Sequence, residues 1–137
     1  MDRWISLINE EREISVEDLK SIQFSTSKAE YVIGIAKEIK NGSLTKEALL
    51  EKQEYHQIKD VLMSIRGIGA WTANLVMMRC LHIPTAIPIA DVGLHRALKQ
   101  QLNLDRKPSP AELEELAASW EGWQAYANFY LWRSLYD

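Results

Sequence analysis

The chain has a single cysteine, Cys80, among its 137 residues. That excludes a disulfide framework, and it equally excludes a four-cysteine zinc site or iron–sulfur cluster. No uninterrupted apolar run approaches the ~18 residues that a membrane-spanning helix needs. The first residues, MDRWISLINEERE, carry acids where a secretory signal needs an apolar centre, so a cytoplasmic location is expected. A basic surplus is missing too: 16 Lys and Arg stand against 19 Asp and Glu, for a net charge of −3. Taken alone, that charge argues against a polyanionic partner. Histidine is sparse, and His56, His82 and His95 share no ligand spacing, so they are expected to be surface or core residues. There is no internal repeat, no low-complexity tract and no alternating strand pattern.

What is present is an ordinary folding composition, 47% hydrophobic and 26% charged, at a length that suits one domain with a real core. The charge is unevenly spread. Residues 58–107 hold seven Lys and Arg (Lys59, Arg66, Arg79, Arg96, Lys99, Arg106, Lys107) against three acids, a local net of +4 inside an acidic chain. Two readings are open: a local field that steers a polyanion, or a fluctuation on solvated helix faces.

Almost every periodic segment is helical. Ser15-Val-Glu-Asp18 has the form of a capping box. An amphipathic run from Lys28 to Lys40 stops at Asn41-Gly42. Ile58, Val61, Leu62 and Ile65 fall on one helical stripe, which predicts a helix over 54–65. A second follows from about Ala70 to Leu81, and Pro84 and Pro88 hold the next stretch extended. Asp91 then stands at an N-cap position before a helix over Val92–Gln101. Ser109-Pro110-Ala111-Glu112 is a capping box with proline at the first helical position. A terminal segment, about Gly122 to Tyr136, is aromatic on nearly every face. The expected class is all-α.

Between the helices at 54–65 and 70–81 lies Arg66-Gly67-Ile68-Gly69, so the unit reads as a helix–hairpin–helix. Two glycines allow a tight corner and a close approach of backbone to ligand. The first amides of the second helix lack intrahelical partners and lie at the positive end of its dipole. Such a corner suits a phosphodiester and needs no base contact, with Arg66 and Lys59 adding charge. An ordinary helix–helix corner with a glycine cap has the same letters. Asp91 is likewise open to two readings, as a helix cap or as a working carboxylate. It is the only acid between Asp60 and Asp105. Cys80 is read as a small buried hydrophobe, and Trp4, Trp120 and Trp123 as core aromatics.

The combination of LMSIRGIGAWTANLVMM with IPIADVGLHRAL resembles the helix–hairpin–helix DNA glycosylase superfamily. Within it the chain is most similar to the alkylbase branch, the 3-methyladenine DNA glycosylase II type. GIGAWTAN puts Trp71 where bifunctional members carry their Schiff-base lysine, and ADVGLHRAL puts Asp91 on the catalytic aspartate. WQAYANFYLWRS puts Trp132 on an aromatic wall of the base pocket, and LKSIQFSTSKAEYVIGIAKEIKNGSL matches the helices before the hairpin. Arg66 departs from the family's usual hairpin proline. The block that family members carry upstream, with a glutamine-rich helix and a side chain that wedges into the duplex, has no match here.

The resemblance implies a monofunctional glycosylase of base-excision repair acting on alkylated purines in double-stranded DNA. Asp91 would be catalytic, Trp71 and Trp132 would line the base pocket, and Arg66, Gly67, Ile68 and Gly69 would bind phosphate. No lyase activity is expected without a lysine at position 71. It also implies a structural sodium or potassium ion on the carbonyls of Met63, Ile65 and Ile68, with no other cofactor. Residues 1–107 would form a helical domain with the hairpin and the aspartate, and 108–137 the C-terminal helices of an incomplete second subdomain. The aromatic terminal helix is expected to need cover from a second copy or a partner chain. Two other readings are a non-catalytic helix–hairpin–helix DNA-binding module and an inactive glycosylase remnant.

Overall fold

The computed structural model describes residues 13–137. Trp4 lies outside them. Among the described residues there are eight helices and no strand: α1 Val16–Lys20, α2 Thr26–Lys40, α3 Lys46–Leu50, α4 Tyr55–Met63, α5 Ala70–Arg79, α6 Val92–Gln101, α7 Pro110–Ser119 and α8 Gln124–Arg133. None is long and apolar enough to cross a membrane.

Local chemistry explains most boundaries. Ser15 and Asp18 form the reciprocal capping box at α1, and Ser109 and Glu112 form the one at α7 with Pro110 inside it. Arg106 grips Glu112 from outside through two hydrogen bonds of 2.8 and 2.9 Å. Together with the Ser109 cap, that guanidinium holds the Glu112 carboxyl down at about 2. Ser25 accepts from Lys28 N–H, so α2 begins ahead of the amphipathic run, and Asn41 closes it. The short helix α3 carries too few residues for a periodicity to register and is an addition to the pattern read from sequence.

The described chain forms two compact units. One comprises residues 13–45 with Ile65–Gly67. In it α1 packs on α2, burying Leu19 and Ala29. The turn enters this unit through Gly67, whose φ is +94°, against the ring of Tyr31.

The other unit comprises Lys46–Ser64 and Ile68–Asp137. Here α4 packs on α5, and α6 on α8. Ile58 and Leu62 from α4, Met77 and Met78 from α5 and Leu94 from α6 are fully buried. Each such side chain contributes roughly 1.5–3 kcal/mol of transfer free energy. Ile87, Leu94, Leu98, Leu113 and Ala117 form one cluster, with Trp120 and Leu131 against it. The chain on either side of residue 107 therefore shares a core, and the division expected at that point does not separate the packing.

Two sequence expectations are corrected. Cys80 is exposed. Helix α5 ends at Arg79, and Cys80 caps it facing outward, while Met77 and Met78 before it and Leu81 after it are buried. Trp123 is not core but 66% exposed. It stands at the N-cap of α8 with its ring 5.5 Å from that of Tyr126. Helix α8 itself buries only Ala125 and Asn128, and leaves Tyr126, Phe129 and Tyr130 exposed.

Candidate active site

The site is built on a loop and the helix it starts. After α5 the chain runs through Ile83–Ala90 with no regular structure, and three anchors hold it. Asn74, buried in α5, accepts from Ile87 N–H at 3.2 Å and from the Tyr55 hydroxyl at 2.8 Å. It also donates to Ala70 O at 2.8 Å, which ties α4, α5 and the loop through one amide. His95, buried in α6, reaches back from Nε2 to Ile89 O at 2.5 Å. Pro84 O accepts from Ala125 N–H at the start of α8. The product of this bracing is the placement of Asp91.

Asp91 is the N-cap of α6 and more than a cap. Its Oδ2 accepts from Leu94 N–H at 2.7 Å, which is the capping bond. The same oxygen accepts from Trp132 Nε1–H at 2.8 Å, and Oδ1 accepts from Trp71 Nε1–H at 2.9 Å. Burial raises the carboxyl's pKa, but the bonds from Trp71, Leu94 and Trp132, with the nearby His95, outweigh it and leave the group below its ordinary value. It is therefore ionised at neutral pH.

The structure thus brings Asp91, Trp71 and Trp132 together, although they come from a loop, α5 and α8. It does not set the two tryptophans as facing walls of one cavity. Trp71, 44% exposed, lines a cavity of about 470 Å³ with Tyr55, Lys59, Asn74 and Pro108. Asp91 and Trp132 line a separate one of about 390 Å³ with Arg79, Gly93, Phe129 and Tyr136. The Arg79 guanidinium lies 5.7 Å from the Trp132 ring centre, and Phe129 meets that ring edge-on at 5.7 Å.

The hairpin residues divide by role. Gly69 is the N-cap of α5 in extended conformation, φ −94° and ψ −179°, and lends no side-chain cap to the first amides of the helix. A Cβ at this position would meet nothing within 4 Å. Ile68 buries its side chain, so only its backbone is free for a ligand. Arg66 is exposed, stacks on Tyr31 at 5.7 Å and pairs loosely with Glu30 at 3.4 Å. An exposed pair of this kind contributes little, so a phosphate can displace it. Met63 ends α4, and Ile65 and Ile68 follow it along the turn. Among the described residues no cluster of His, Cys, Asp and Glu could hold a metal ion.

As site residues, Asn74, Tyr55 and Gly93 escaped the sequence reading, and Arg79 entered it only as part of the basic stretch. An asparagine within an apolar helix, and a glycine directly after a capped helix start, were the signals available.

A helical chain with a glycine hairpin followed by a capped, ionised aspartate defines a recognisable class. Residues 6–123 match the family model of the HhH-GPD superfamily base excision DNA repair proteins, and the chain belongs to that family. It is 49% identical to the DNA-3-methyladenine glycosylase of Bacillus subtilis (strain 168) over 119 residues, which cover 87% of this chain and 39% of that protein. It is also similar to two proteins of Schizosaccharomyces pombe. The alkylbase DNA glycosidase-like protein mag2 is 26% identical, over 88% of this chain and 57% of its own length. DNA-3-methyladenine glycosylase 1 is 21% identical, over 90% and 54%. The chain therefore spans about two fifths to three fifths of these relatives.

Proposed function

We propose that the chain carries the catalytic part of a monofunctional DNA glycosylase that releases alkylated purines, such as 3-methyladenine, from double-stranded DNA. The observation that carries this reading is the Asp91 carboxylate, kept ionised by two indole N–H groups and a helix amide. Alkylation leaves a positive charge on the purine. When the N-glycosidic bond breaks, the base departs with the bonding electrons as a neutral molecule, and the charge passes to the deoxyribose. A fixed carboxylate stabilises that sugar cation. Water then adds to C1′ and loses a proton, which leaves an abasic site.

The base must leave the duplex stack before its glycosidic bond is accessible. The exposed ring of Trp71 offers an electron-rich face to a cationic base. With tryptophan at position 71 no imine forms there, so strand cleavage is not expected. The amides opening α5 take a phosphate at Gly69, with Arg66 beside it in sequence, so affinity comes from the backbone rather than the sequence of the DNA. The carbonyls of Met63, Ile65 and Ile68 are neutral oxygen donors, of the chemistry that suits a sodium or potassium ion. DNA as substrate agrees with a cytoplasmic protein, nucleoid-associated in a bacterial cell.

Asp91→Asn keeps the shape and the capping acceptor while removing the charge. Base release from methylated DNA should fall by about 10²-fold or more, with DNA affinity close to that of the parent. Release at the parent's rate would remove Asp91 from the mechanism.

A further inference from the structure

The two oxygens of Asp91 are not equivalent. Oδ2 accepts two hydrogen bonds, from Leu94 N–H and Trp132 Nε1–H, and has no acceptor capacity left. Oδ1 accepts one, from Trp71, and keeps a free lone pair. The saturated oxygen sits directly over Gly93. A Cβ built on Gly93 would lie 2.9 Å from Asp91 Oδ2, 3.2 Å from Trp132 Nε1 and 3.3 Å from Trp132 Cδ1. Nothing in the backbone at Gly93 calls for glycine: its φ lies outside the left-handed region, and it stands in the first turn of α6, where alanine is the better helix former. Backbone entropy and helix propensity both argue against glycine here, so its presence has to be explained by what lies above it.

We propose that Gly93 is a positioning residue: its missing side chain opens the space through which the Trp132 indole reaches Asp91 Oδ2, so that Oδ1 is the oxygen turned to the sugar. Arg79 braces the arrangement, its guanidinium over the Trp132 ring at 5.7 Å from the ring centre. With one face of Trp132 taken by a cation and its N–H edge committed to the carboxylate, Trp132 acts as a clamp. Stacking of a cationic base then falls to Trp71. This inference rests on the glycosylase reading for its consequence, but its geometry can be tested without activity.

The charged and titratable groups around the carboxylate are Arg79 from α5 and His95 from α6, with Arg133 of α8 and Tyr136 beyond it, which share the Asp91 cavity. All four are kept in the variants that follow. In the full chain labelled with ¹³C and ¹⁵N, the Asp91 carboxyl carbon and the Trp132 indole N–H are followed through a pH titration. In the parent, the carboxyl should titrate below the ordinary aspartate range, with the indole resonance following it. Gly93→Ala should displace the indole, raise the carboxyl's pKa and move the indole signal, while the circular dichroism spectrum keeps the helical content of the parent. Trp132→Phe should raise the same pKa by deleting the donor. Val92→Ala, in the same turn with Val92 77% exposed, should leave it in place.

Single-turnover release of methylated bases should fall about 10- to 100-fold in Gly93→Ala, with DNA affinity retained. A Gly93→Ala protein whose carboxyl and indole titrate as in the parent would overturn the proposal. So would a fall in activity matched by an equal loss of DNA binding. If the NMR shifts appear but the parent itself releases no base, the positioning unit stands and the glycosylase reading fails.

Discussion

Alanine substitution should separate the two hairpin glycines. At Gly67 two costs combine. The residue has φ +94°, where an L side chain is strained by roughly 1–2 kcal/mol. Its new Cβ would also collide with Tyr31 Cγ and lie 2.7 Å from Tyr31 Cβ, and the Arg66 guanidinium lies over the same ring. Overpacking of that kind costs about 1–3 kcal/mol, for a sum of about 2–5 kcal/mol. Against a typical total of about 5–15 kcal/mol, that is a large share of the stability. At Gly69 the backbone is extended and the space is open, so the cost is only alanine's poorer N-cap preference, about 0.5–1 kcal/mol. Urea unfolding followed by circular dichroism measures both. A Gly67→Ala loss below about 1 kcal/mol, or equal losses in the two variants, would refute this account. The sequence reading treats the glycines as equivalent probes of phosphate binding. Only Gly69→Ala isolates that role, because a methyl there meets no protein atom and lies where the α5 amides would receive the phosphate. Its DNA affinity should fall to the same degree on every sequence.

Asn74→Ala leaves the Tyr55 hydroxyl and the Ile87 amide without their acceptor, and should cost about 2–4 kcal/mol in unfolding free energy. Base release should fall further than the fraction unfolded explains, since the Ile83–Ala90 loop leads into Asp91; a loss fully accounted for by unfolding would remove Asn74 from the positioning of that loop. Helix α8 exposes Tyr126, Phe129 and Tyr130, with Tyr130 at 76%, and a second copy of the chain is the cover proposed for this face. Sedimentation equilibrium should show association with rising concentration, weakened by Tyr130→Glu; a monomer throughout would refute it.

Much of the helical order was legible because its determinants are local. Ser15, Asp91 and Ser109 each cap a helix with the next few residues, and those contacts depend on nothing distant. The helix ends were less legible. The stripe over 54–65 continues through Ile65, yet α4 stops at Met63 with Ser64 as its C-cap, and the turn begins directly after it. Cys80 and Trp123 were misjudged for a related reason: apolar character predicts burial only when the helix turns that residue toward a partner. Each stands at a helix cap and faces outward, although Leu81 follows Cys80 and Ala125 follows Trp123 into the core.

By itself the sequence determined the all-helical class, the glycine corner and a lone acid at a helix start, all properties of neighbouring residues. It also carried the family resemblance, which a pattern of letters can hold without any coordinates. Tertiary structure alone decided what surrounds that acid. Trp71 lies 20 positions from Asp91 and Trp132 lies 41, and no periodicity relates them. Their indole N–H groups meet on one carboxylate because α5 and α8 are each held against the loop by Asn74 and Ala125. The split of the two tryptophans between separate cavities, and the need for an empty space at Gly93, follow from that packing. Such features depend on distances of a few ångströms between residues far apart in the chain, and a linear pattern does not encode those distances.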